Sequence, residues 1–460
     1  MGQTEMDSLK MKEVIISLCA WLIFLSFTFF LKPLKADELK VALARFSPDD
    51  IEFDGDISDW QEAGYPSVRL SEKEVVYGKE GWEGEEDAMV KVFFAYDDGY
   101  LYLGVKGKDD KHVRTQKFEY GEDHLEIWIS LPESGSVRKS VLSYFPGRKF
   151  PTARGGVRWI DTSTGKSKGV AGAKFREKYL ANEGWEAELK IPWKSMPDIY
   201  RRLPETMWGV AFIDTDNYHI RTKESILATG WRGEEPELSL IELEDIKEAV
   251  DKFLETISLK GSSVTYSYSN VAMDGREEVI VQAGTSFAVM GHGFKGGQGF
   301  VYVTLPVSGK NDIQSFELAD VTDDGRNELI FKYYQRDEKK DYSVKIMAIY
   351  GFWGEDMRRL FLQEIEVNRG NKSASSNVQI LEGALKGKTV IKVSAGNVKG
   401  WTKETYEPRK ESEVFPLILP WMEEKTAYYI FRDGAFEREN SQAVEKILSS
   451  PVKKKALKRK

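Results

Sequence analysis

Residues 90–106 read VKVFFAYDDGYLYLGVK, and this stretch decides the fold of the first half of the chain. Val90–Tyr96 is rich in β-branched and aromatic residues, which favour extended backbone. The Asp-Asp-Gly of residues 97–99 tolerates the backbone angles of a tight reversal. Residues 100–106 then alternate again, with Leu, Leu and Val on one face. The stretch therefore predicts a β-hairpin.

Further segments of the first half show the same two-residue alternation. Residues 125–129 place Leu, Ile and Ile on one face, and Glu126 and Trp128 on the other. Residues 184–191 alternate Trp, Ala, Leu and Ile with charged side chains. Helical periodicity is weak before residue 244, and roughly nine to eleven strands fit this part of the chain. The pattern predicts an all-β fold that begins with a two-sheet β-sandwich.

The N-terminus reads as a targeting segment. Two lysines, Lys10 and Lys12, precede an unbroken apolar run over Val14–Leu31, and Leu34-Lys35-Ala36 resembles a cleavage site. The apolar run is long for a signal peptide, so residues 1–36 are interpreted as a signal peptide or an uncleaved N-terminal anchor. We therefore expect an exported protein, periplasmic or extracellular, that meets a membrane only through this segment if it is not cleaved.

Composition excludes several functional classes. The only cysteine, Cys19, lies in the apolar run, so the mature chain has no disulfide, thiolate metal site or cysteine nucleophile. The net charge is −8, which gives no sign of nucleic-acid binding. The four histidines show no His-Glu-x-x-His pairing, and no Gly-x-Ser-x-Gly motif occurs. The sequence therefore predicts a protein that is not an enzyme, although its many carboxylates leave a glycosidase pair open.

The second half begins after a helical segment and contains an internal repeat. Residues 270–280 and 320–330 match at an offset of 50 residues, each with an acidic loop, a glycine and a strand. We therefore expect a β-rich domain of repeat-like organisation. The predicted organisation is a targeting segment, a sandwich, a linker helix, a β-rich domain and a basic tail, at residues 1–36, 37–245, 246–258, 259–440 and 441–460.

The second copy of the repeat offers oxygen ligands at alternate positions. It reads Asp320-x-Thr322-x-Asp324-Gly-x-x-Glu328 and resembles the acidic loops of integrin-type FG-GAP repeats. Such spacing suits Ca²⁺, with the glycine allowing the sharp turn. We therefore name these four side chains as a calcium site. An Asp-Gly turn that needs no metal is the alternative.

Four pieces of the first half, in order, resemble the family 9 carbohydrate-binding modules and their wider relatives. The first two are Phe53-Asp54-Gly55 with Asp59-Trp60, and the hairpin of residues 92–102. The others are Glu122-Asp123 with Leu125-Glu126-Ile127, and Gly184-Trp185 with Glu188 and Ile191-Pro192-Trp193. The resemblance spans about residues 41–244 and implies a sandwich that hosts carbohydrate-binding modules as well as haem-binding domains.

The resemblance implies a sugar site. In sugar-binding members two aromatic rings clamp a terminal sugar, and the matching positions here are Tyr120 and Trp231. Asp123 and Glu126 would accept hydrogen bonds from sugar hydroxyls, and Trp128, on the face of Glu126, would be a second platform or a surface aromatic. Tyr120 stands where a tryptophan is usual.

Other functional interpretations of the first half stay open. The family strand that offers an arginine to the sugar reads Val141-Leu142-Ser143-Tyr144 here, without arginine. A haem-binding electron carrier would need an axial pair, for which His112 and Met89 are candidates. A cell-envelope scaffold that binds another protein is the alternative from a different class. The favoured hypothesis is an exported, non-catalytic protein that binds a poly- or oligosaccharide.

Overall fold

The computed structural model describes residues 39–448 with short gaps. The gaps lie at residues 116, 119–120, 134, 148–152, 163–165, 181–183, 217–224, 273–274, 293, 295–298, 355, 386 and 410–413. The chain divides into two units, Met1–Leu39 and Lys40–Lys460, and the strands and helices named here lie in the second. The predicted targeting segment and residues 449–460 of the tail lie outside the described residues. Of the helices described, none is long and apolar enough to cross a membrane.

The first half is built almost wholly of strands, as the alternation predicts. In chain order they are β1 Ala42–Arg45, β2 Ser67–Leu70, β3 Val75–Tyr77, β4 Ala88–Tyr96, β5 Tyr100–Asp109, β6 His124–Glu133, β7 Ser136–Phe145, β8 Gly156–Asp161, β9 Lys166–Gly169, β10 Lys174–Leu180, β11 Gly184–Pro192, β12 Met207–Asp214, β13 Ser225–Ala228, β14 Trp231–Arg232, β15 Glu235–Pro236, β16 Ser239–Leu240 and β17 Glu242–Leu243. Two short helices interrupt them, α1 Ser58–Glu62 and α2 Pro197–Arg201. The all-β prediction is confirmed.

These strands form two principal sheets. The first sheet has the order β10-β11-β5-β4-β1-β17, with β2 also paired to β4. The second sheet has the order β3-β13-β12-β6-β7-β8-β9, with β16 also paired to β12. Rings from the two sheets pack edge to face: Phe94 and Trp208 have centroids 6.4 Å apart. The sheets therefore lie face to face and bury the apolar side of each strand between them.

The hairpin of residues 90–106 forms as the sequence predicts. β4 and β5 pair antiparallel, with Tyr96 opposite Leu101. The turn is closed by Asp97, whose Oδ1 accepts the backbone N–H groups of Gly99 and Tyr100, both at 2.7 Å. The strand predicted next along the chain, β6, lies in the opposite sheet, between β12 and β7. The segment between β5 and β6 therefore crosses one end of the sandwich.

A buried cluster on the outer side of the first sheet gathers three pieces of the sequence resemblance. Trp60 in α1 is fully buried and donates its indole N–H to Glu188 Oε1 at 2.9 Å. The backbone N–H of Gly55 donates to Glu188 Oε2 at 2.7 Å. Burial raises the Glu188 pKa to about 7, while both donors act to lower it. The Asp-Gly turn, the tryptophan and the glutamate thus form one hydrogen-bonded unit.

The second half consists of two antiparallel sheets. Four strands form the first of them: β18 Thr265–Ser269, β19 Glu278–Ala283, β20 Ser286–Met290 and β21 Phe300–Thr304. Eight strands in chain order form the other: β22 Ile313–Ala319, β23 Glu328–Asp337, β24 Tyr342–Trp353, β25 Asp356–Arg369, β26 Lys372–Leu385, β27 Lys388–Lys399, β28 Thr426–Arg432 and β29 Ala435–Glu439. Phe287 and Phe331, one from each sheet, have ring centroids 4.7 Å apart in their shared core.

Two longer helices flank the second half. α3 Glu244–Thr256 lies where the sequence predicts a linker helix, two residues earlier than expected. Asp245 near its start accepts a hydrogen bond from the Tyr96 hydroxyl of the sandwich at 2.8 Å. α4 Ser441–Leu448 occupies the start of the predicted tail and buries Val444. The domain boundaries themselves stay a prediction.

Candidate functional site

One row of side chains crosses the outer face of the second sheet. Strand register places five residues side by side in the order Ala228, Ala211, Glu126, Ser143 and Arg158. Paired residues project from the same side of a sheet, and the neighbouring Ile127 faces the core. We call this set the Glu126 row. Only the small Ser143 stands between Glu126 and Arg158, so little side-chain volume separates the carboxylate from the guanidinium.

Burial differs along the row. Glu126 is 4% exposed and Ser143 has no exposed surface, whereas Arg158 at the end is half-buried. The Ser143 hydroxyl has no hydrogen-bond partner among the described residues. A buried hydroxyl without a partner is costly, so Ser143 is a hydrogen-bonding group with unused capacity on this face.

Glu126 is tied to the aromatic ring beside it. Trp128 lies two residues along β6 on the same face and donates its indole N–H to Glu126 Oε2 at 2.8 Å. The other carboxylate oxygen lies 3.1 Å from His124 Nε2. The His124 ring in turn stacks on Phe145, with centroids 4.7 Å apart and planes 15° apart. These contacts fix the orientation of Trp128, which is half-buried.

Trp231 lies on the same face, carried by the loop of β14 and β15. Its ring packs on an apolar cluster of β12 and β13 formed by Ala211, Ile213, Ile226 and Ala228. The loop approaches the sheet closely because Gly209 lacks a side chain: a Cβ there would lie 2.6 Å from the Glu237 carbonyl oxygen. Gly209 pairs with Trp128 across the sheet.

The structure thus brings together three of the five predicted sugar-site residues, Glu126, Trp128 and Trp231, on one face. Tyr120 lies outside the described residues. Arg158 supplies a guanidinium in the row although the predicted strand, residues 141–144, has none. Arg158 could not be identified from local sequence, because its place depends on how β8 pairs with β7.

Asp123 lies elsewhere, in the loop that precedes β6 at one end of the sandwich. It has no exposed surface, and its carboxylate accepts the backbone N–H of Thr215 at 2.8 Å and that of Val113. The two-residue period of a strand explains this position. Asp123 precedes Leu125 by two positions and so faces the core side, whereas Glu126 faces outward. In this position Asp123 holds loops together and does not reach the face that carries Trp128.

His112 has both ring nitrogens engaged. Nδ1 lies 3.2 Å from Asp109 Oδ2, and Nε2 lies 3.2 Å from the Gly147 carbonyl oxygen. Met89 is buried in β4 and pairs with Lys108. The haem hypothesis that pairs His112 with Met89 stays a prediction.

The acidic loop predicted to bind calcium closes through its own hydrogen bonds. Asp320 accepts the backbone N–H groups of residues 323, 324 and 325 at 2.8, 3.3 and 2.9 Å. Asp324 is paired with the guanidinium of Arg326, its Oδ2 lying 3.0 Å from Nε. Thr322 donates its hydroxyl to Glu328 at 3.1 Å. Asp324 is thus paired with an arginine in this arrangement, and the calcium site stays a prediction.

The two repeat copies share the backbone hydrogen bonds that their glutamates accept, and they contact each other. Glu278 accepts backbone N–H groups from Val271 and Ala272 at 2.8 and 3.0 Å, and Glu328 accepts those of Val321 and Thr322 at 2.8 and 3.2 Å. The copies are joined where the Asn327 N–H donates to the Asn270 carbonyl oxygen at 2.8 Å. The repeat in the sequence is thus a repeat in structure, in which the glutamate caps the turn.

Comparisons with known proteins give only distant likenesses. No family model and no curated protein matches the chain. A family 9 carbohydrate-binding module from Caldicellulosiruptor kristjanssonii in complex with cellotriose is 11% identical, with a TM-score of 0.26, and the match covers 42% of this chain and 84% of that one. A family 9 module from the same organism in complex with glucose is 12% identical, with a TM-score of 0.27 and coverage of 45% and 95%. Because both scores are below 0.5, function is inferred from the residues of the site.

Proposed function

We propose that the protein is an exported, non-catalytic carbohydrate-binding protein that holds sugar on the outer face of the second sheet. The main support for this proposal is the hydrogen bond from Trp128 to Glu126, which joins an aromatic ring to the carboxylate of the Glu126 row. Sugar C–H faces pack on flat rings, while carboxylate and guanidinium groups exchange hydrogen bonds with hydroxyls. One face here offers both kinds of group.

The aromatic and polar side chains of this face would make different contacts with a bound sugar. Trp128 and Trp231 supply half-buried apolar surface, and Arg158, also half-buried, supplies donors on the other side of Glu126. Tyr120 remains the predicted partner ring of Trp231. Asp123 would act indirectly, by holding the segment that leads into β6.

A glycan-array screen of Lys40–Lys460, which is one compact unit, tests the proposal, followed by titration calorimetry on each hit. We expect Trp231→Ala and Trp128→Ala each to weaken binding at least tenfold, which corresponds to about 1.4 kcal/mol. Trp353→Ala is the matched control, because Trp353 is 39% exposed in the second half of the chain. It should leave the affinity unchanged.

Two further variants separate the polar groups from the rings. Arg158→Ala should weaken binding while leaving Trp128 and its hydrogen bond in place, and Trp128→Phe should keep the ring but lose the bond to Glu126. A screen without hits among mono-, oligo- and polysaccharides would overturn the proposal and favour the protein-binding scaffold. Binding that survives both tryptophan-to-alanine changes would place the sugar elsewhere.

A further inference from the structure

Carboxylates gather at one end of the sandwich, away from the Glu126 row. Antiparallel pairing brings the start of β4 to the end of β5, and the start of β6 to the end of β12. Both sheets therefore contribute acidic residues here. The group, which we call the end cluster, comprises Asp87, Asp109, Asp110, Asp123, Asp214 and Asp216.

His112 lies in the end cluster with its two ring nitrogens turned to different partners. Its Nε2 is 3.2 Å from the Gly147 carbonyl oxygen, which can only accept, so Nε2–H donates to it. Nδ1 faces carboxylate oxygens of Asp109 at 3.2 Å and Asp123 at 3.6 Å. A carbonyl that holds one ring nitrogen while the other faces carboxylates is the usual arrangement of a metal-binding histidine.

The spacing of these three groups suits a single ion. One ligand atom from each of Asp109, His112 and Asp123 lies within 4.8 Å of the other two. Neighbouring ligands about 2.1 Å from a tetrahedral ion lie about 3.4 Å apart. The two distances to Nδ1, 3.2 and 3.6 Å, bracket that value. The side chains of Asp109 and Asp123 are 1% and 0% exposed, so water does little to separate their charges.

Asp214 gives a second, independent indication. It is 1% exposed, and its Oδ2 accepts the Ser225 hydroxyl at 2.8 Å. Its Oδ1 is buried without a hydrogen-bond partner among the described residues. A buried carboxylate oxygen without a donor, beside other carboxylates, is a group that a cation would stabilise.

We propose that Asp109, His112 and Asp123 bind one divalent transition-metal ion, such as Zn²⁺ or Mn²⁺, with Asp214 beside it as a further oxygen donor. The imidazole nitrogen favours a transition metal, because Ca²⁺ and Mg²⁺ take oxygen ligands whereas Zn²⁺ accepts nitrogen and carboxylate ligands together. The ion would join β5, β6 and β12 and so fix the segment that leads into Glu126 and Trp128.

Metal titration of the full chain after chelator treatment and dialysis tests the proposal. Calorimetry with Zn²⁺ or Mn²⁺ should give one ion per chain, and Co²⁺ should give visible absorption bands of a nitrogen- and oxygen-bound ion. His112→Ala and Asp214→Asn should each weaken Zn²⁺ binding at least tenfold. Asp356→Asn is the control, because Asp356 is an exposed acid of the second half, and it should bind as the wild type does.

Several results would overturn the assignment. Wild-type protein that binds no transition metal at one ion per chain would leave Asp109, His112 and Asp123 as a hydrogen-bonded group without a metal. Binding of Ca²⁺ without Zn²⁺ or Mn²⁺, or Zn²⁺ binding untouched by His112→Ala, would exclude the imidazole as a ligand. Because the wild-type titrations and the Co²⁺ spectrum need no variant, they decide the question even if the substituted chains fail to fold.

Discussion

Replacing Gly104 by alanine should destabilise the sandwich more than any ordinary glycine-to-alanine change. Gly104 lies in β5 between Phe93 and Glu188, and its missing side chain makes room for Trp60. A Cβ at this position would lie 2.8 Å from Trp60 Cδ2 and 3.1 Å from Cγ and Cε2. Carbon atoms in contact prefer about 3.5 to 4.0 Å, so the indole would have to move.

The indole has little freedom to move. Trp60 is fully buried, and the rings of Tyr65 and Phe93 lie 5.2 and 6.3 Å from it between centroids. Its N–H donates to Glu188, and breaking that bond would leave both groups unsatisfied in the core. Overpacking of this kind costs about 1 to 3 kcal/mol, and loss of the buried hydrogen bond adds about 1 kcal/mol or more. We expect a loss of about 2 to 4 kcal/mol in the free energy of unfolding.

Chemical denaturation followed by tryptophan fluorescence, together with calorimetric melting, measures this loss. For a domain of this size about 1 kcal/mol lowers the melting temperature by roughly 2 to 4 °C. Gly169→Ala is the control, because a Cβ at Gly169 would have no heavy atom within 4 Å. Its effect should stay within about 0.5 kcal/mol of zero.

A double-mutant cycle identifies the clash itself. The single substitution Trp60→Phe also destabilises the protein, but its smaller ring leaves space for a methyl group at position 104. The cost of Gly104→Ala should therefore fall by about 1 kcal/mol or more in the Trp60→Phe background. Equal costs in the two backgrounds, or a cost below about 0.5 kcal/mol in the wild type, would refute the packing argument.

Three further predictions follow from buried or hydrogen-bonded carboxyl groups. Burial raises the pKa values of Glu188 and Glu328 to about 7, so the stability each contributes is complete below its ordinary pKa of 4.5 and is lost as the pH rises through 7. The pKa shift of Glu328 corresponds to about 3 kcal/mol of folding free energy. Glu328→Gln should therefore flatten the decline of melting temperature between pH 5 and 8. An unchanged slope would contradict this expectation. Asp323 accepts the Thr389 hydroxyl at 2.6 Å, so Asp323→Ala should cost about 1 to 3 kcal/mol in denaturation, whereas a neutral effect would show that this contact is unimportant. Because Asp324 is paired with its neighbouring arginine, we expect Asp324→Ala and the wild type to respond alike to added calcium in a melting assay, and a calcium-dependent rise confined to the wild type would establish the calcium site.

The candidate site shows which features a local sequence pattern can predict. Glu126 and Trp128 could be placed together from sequence, because two-residue alternation puts them on one side of β6. The same alternation puts Asp123 on the core side, a consequence that the family resemblance obscured. The contribution of Arg158 depends on the register of β7 with β8, and no local pattern encodes which residues pair across a turn.

Local sequence patterns predict the hairpin, the outward face of β6, the helix near residue 250 and the two copies of the acidic repeat. Each of these depends on side-chain periodicity or turn chemistry within a few neighbouring residues. Long-range packing, in contrast, determines that β6 joins the sheet opposite the hairpin, and that Gly55, Trp60 and Glu188 form one buried unit. It alone brought His112 and the carboxylates of both sheets to one end of the sandwich. These contacts join residues far apart in the chain, and they form because burying the apolar faces of two sheets fixes which loops meet.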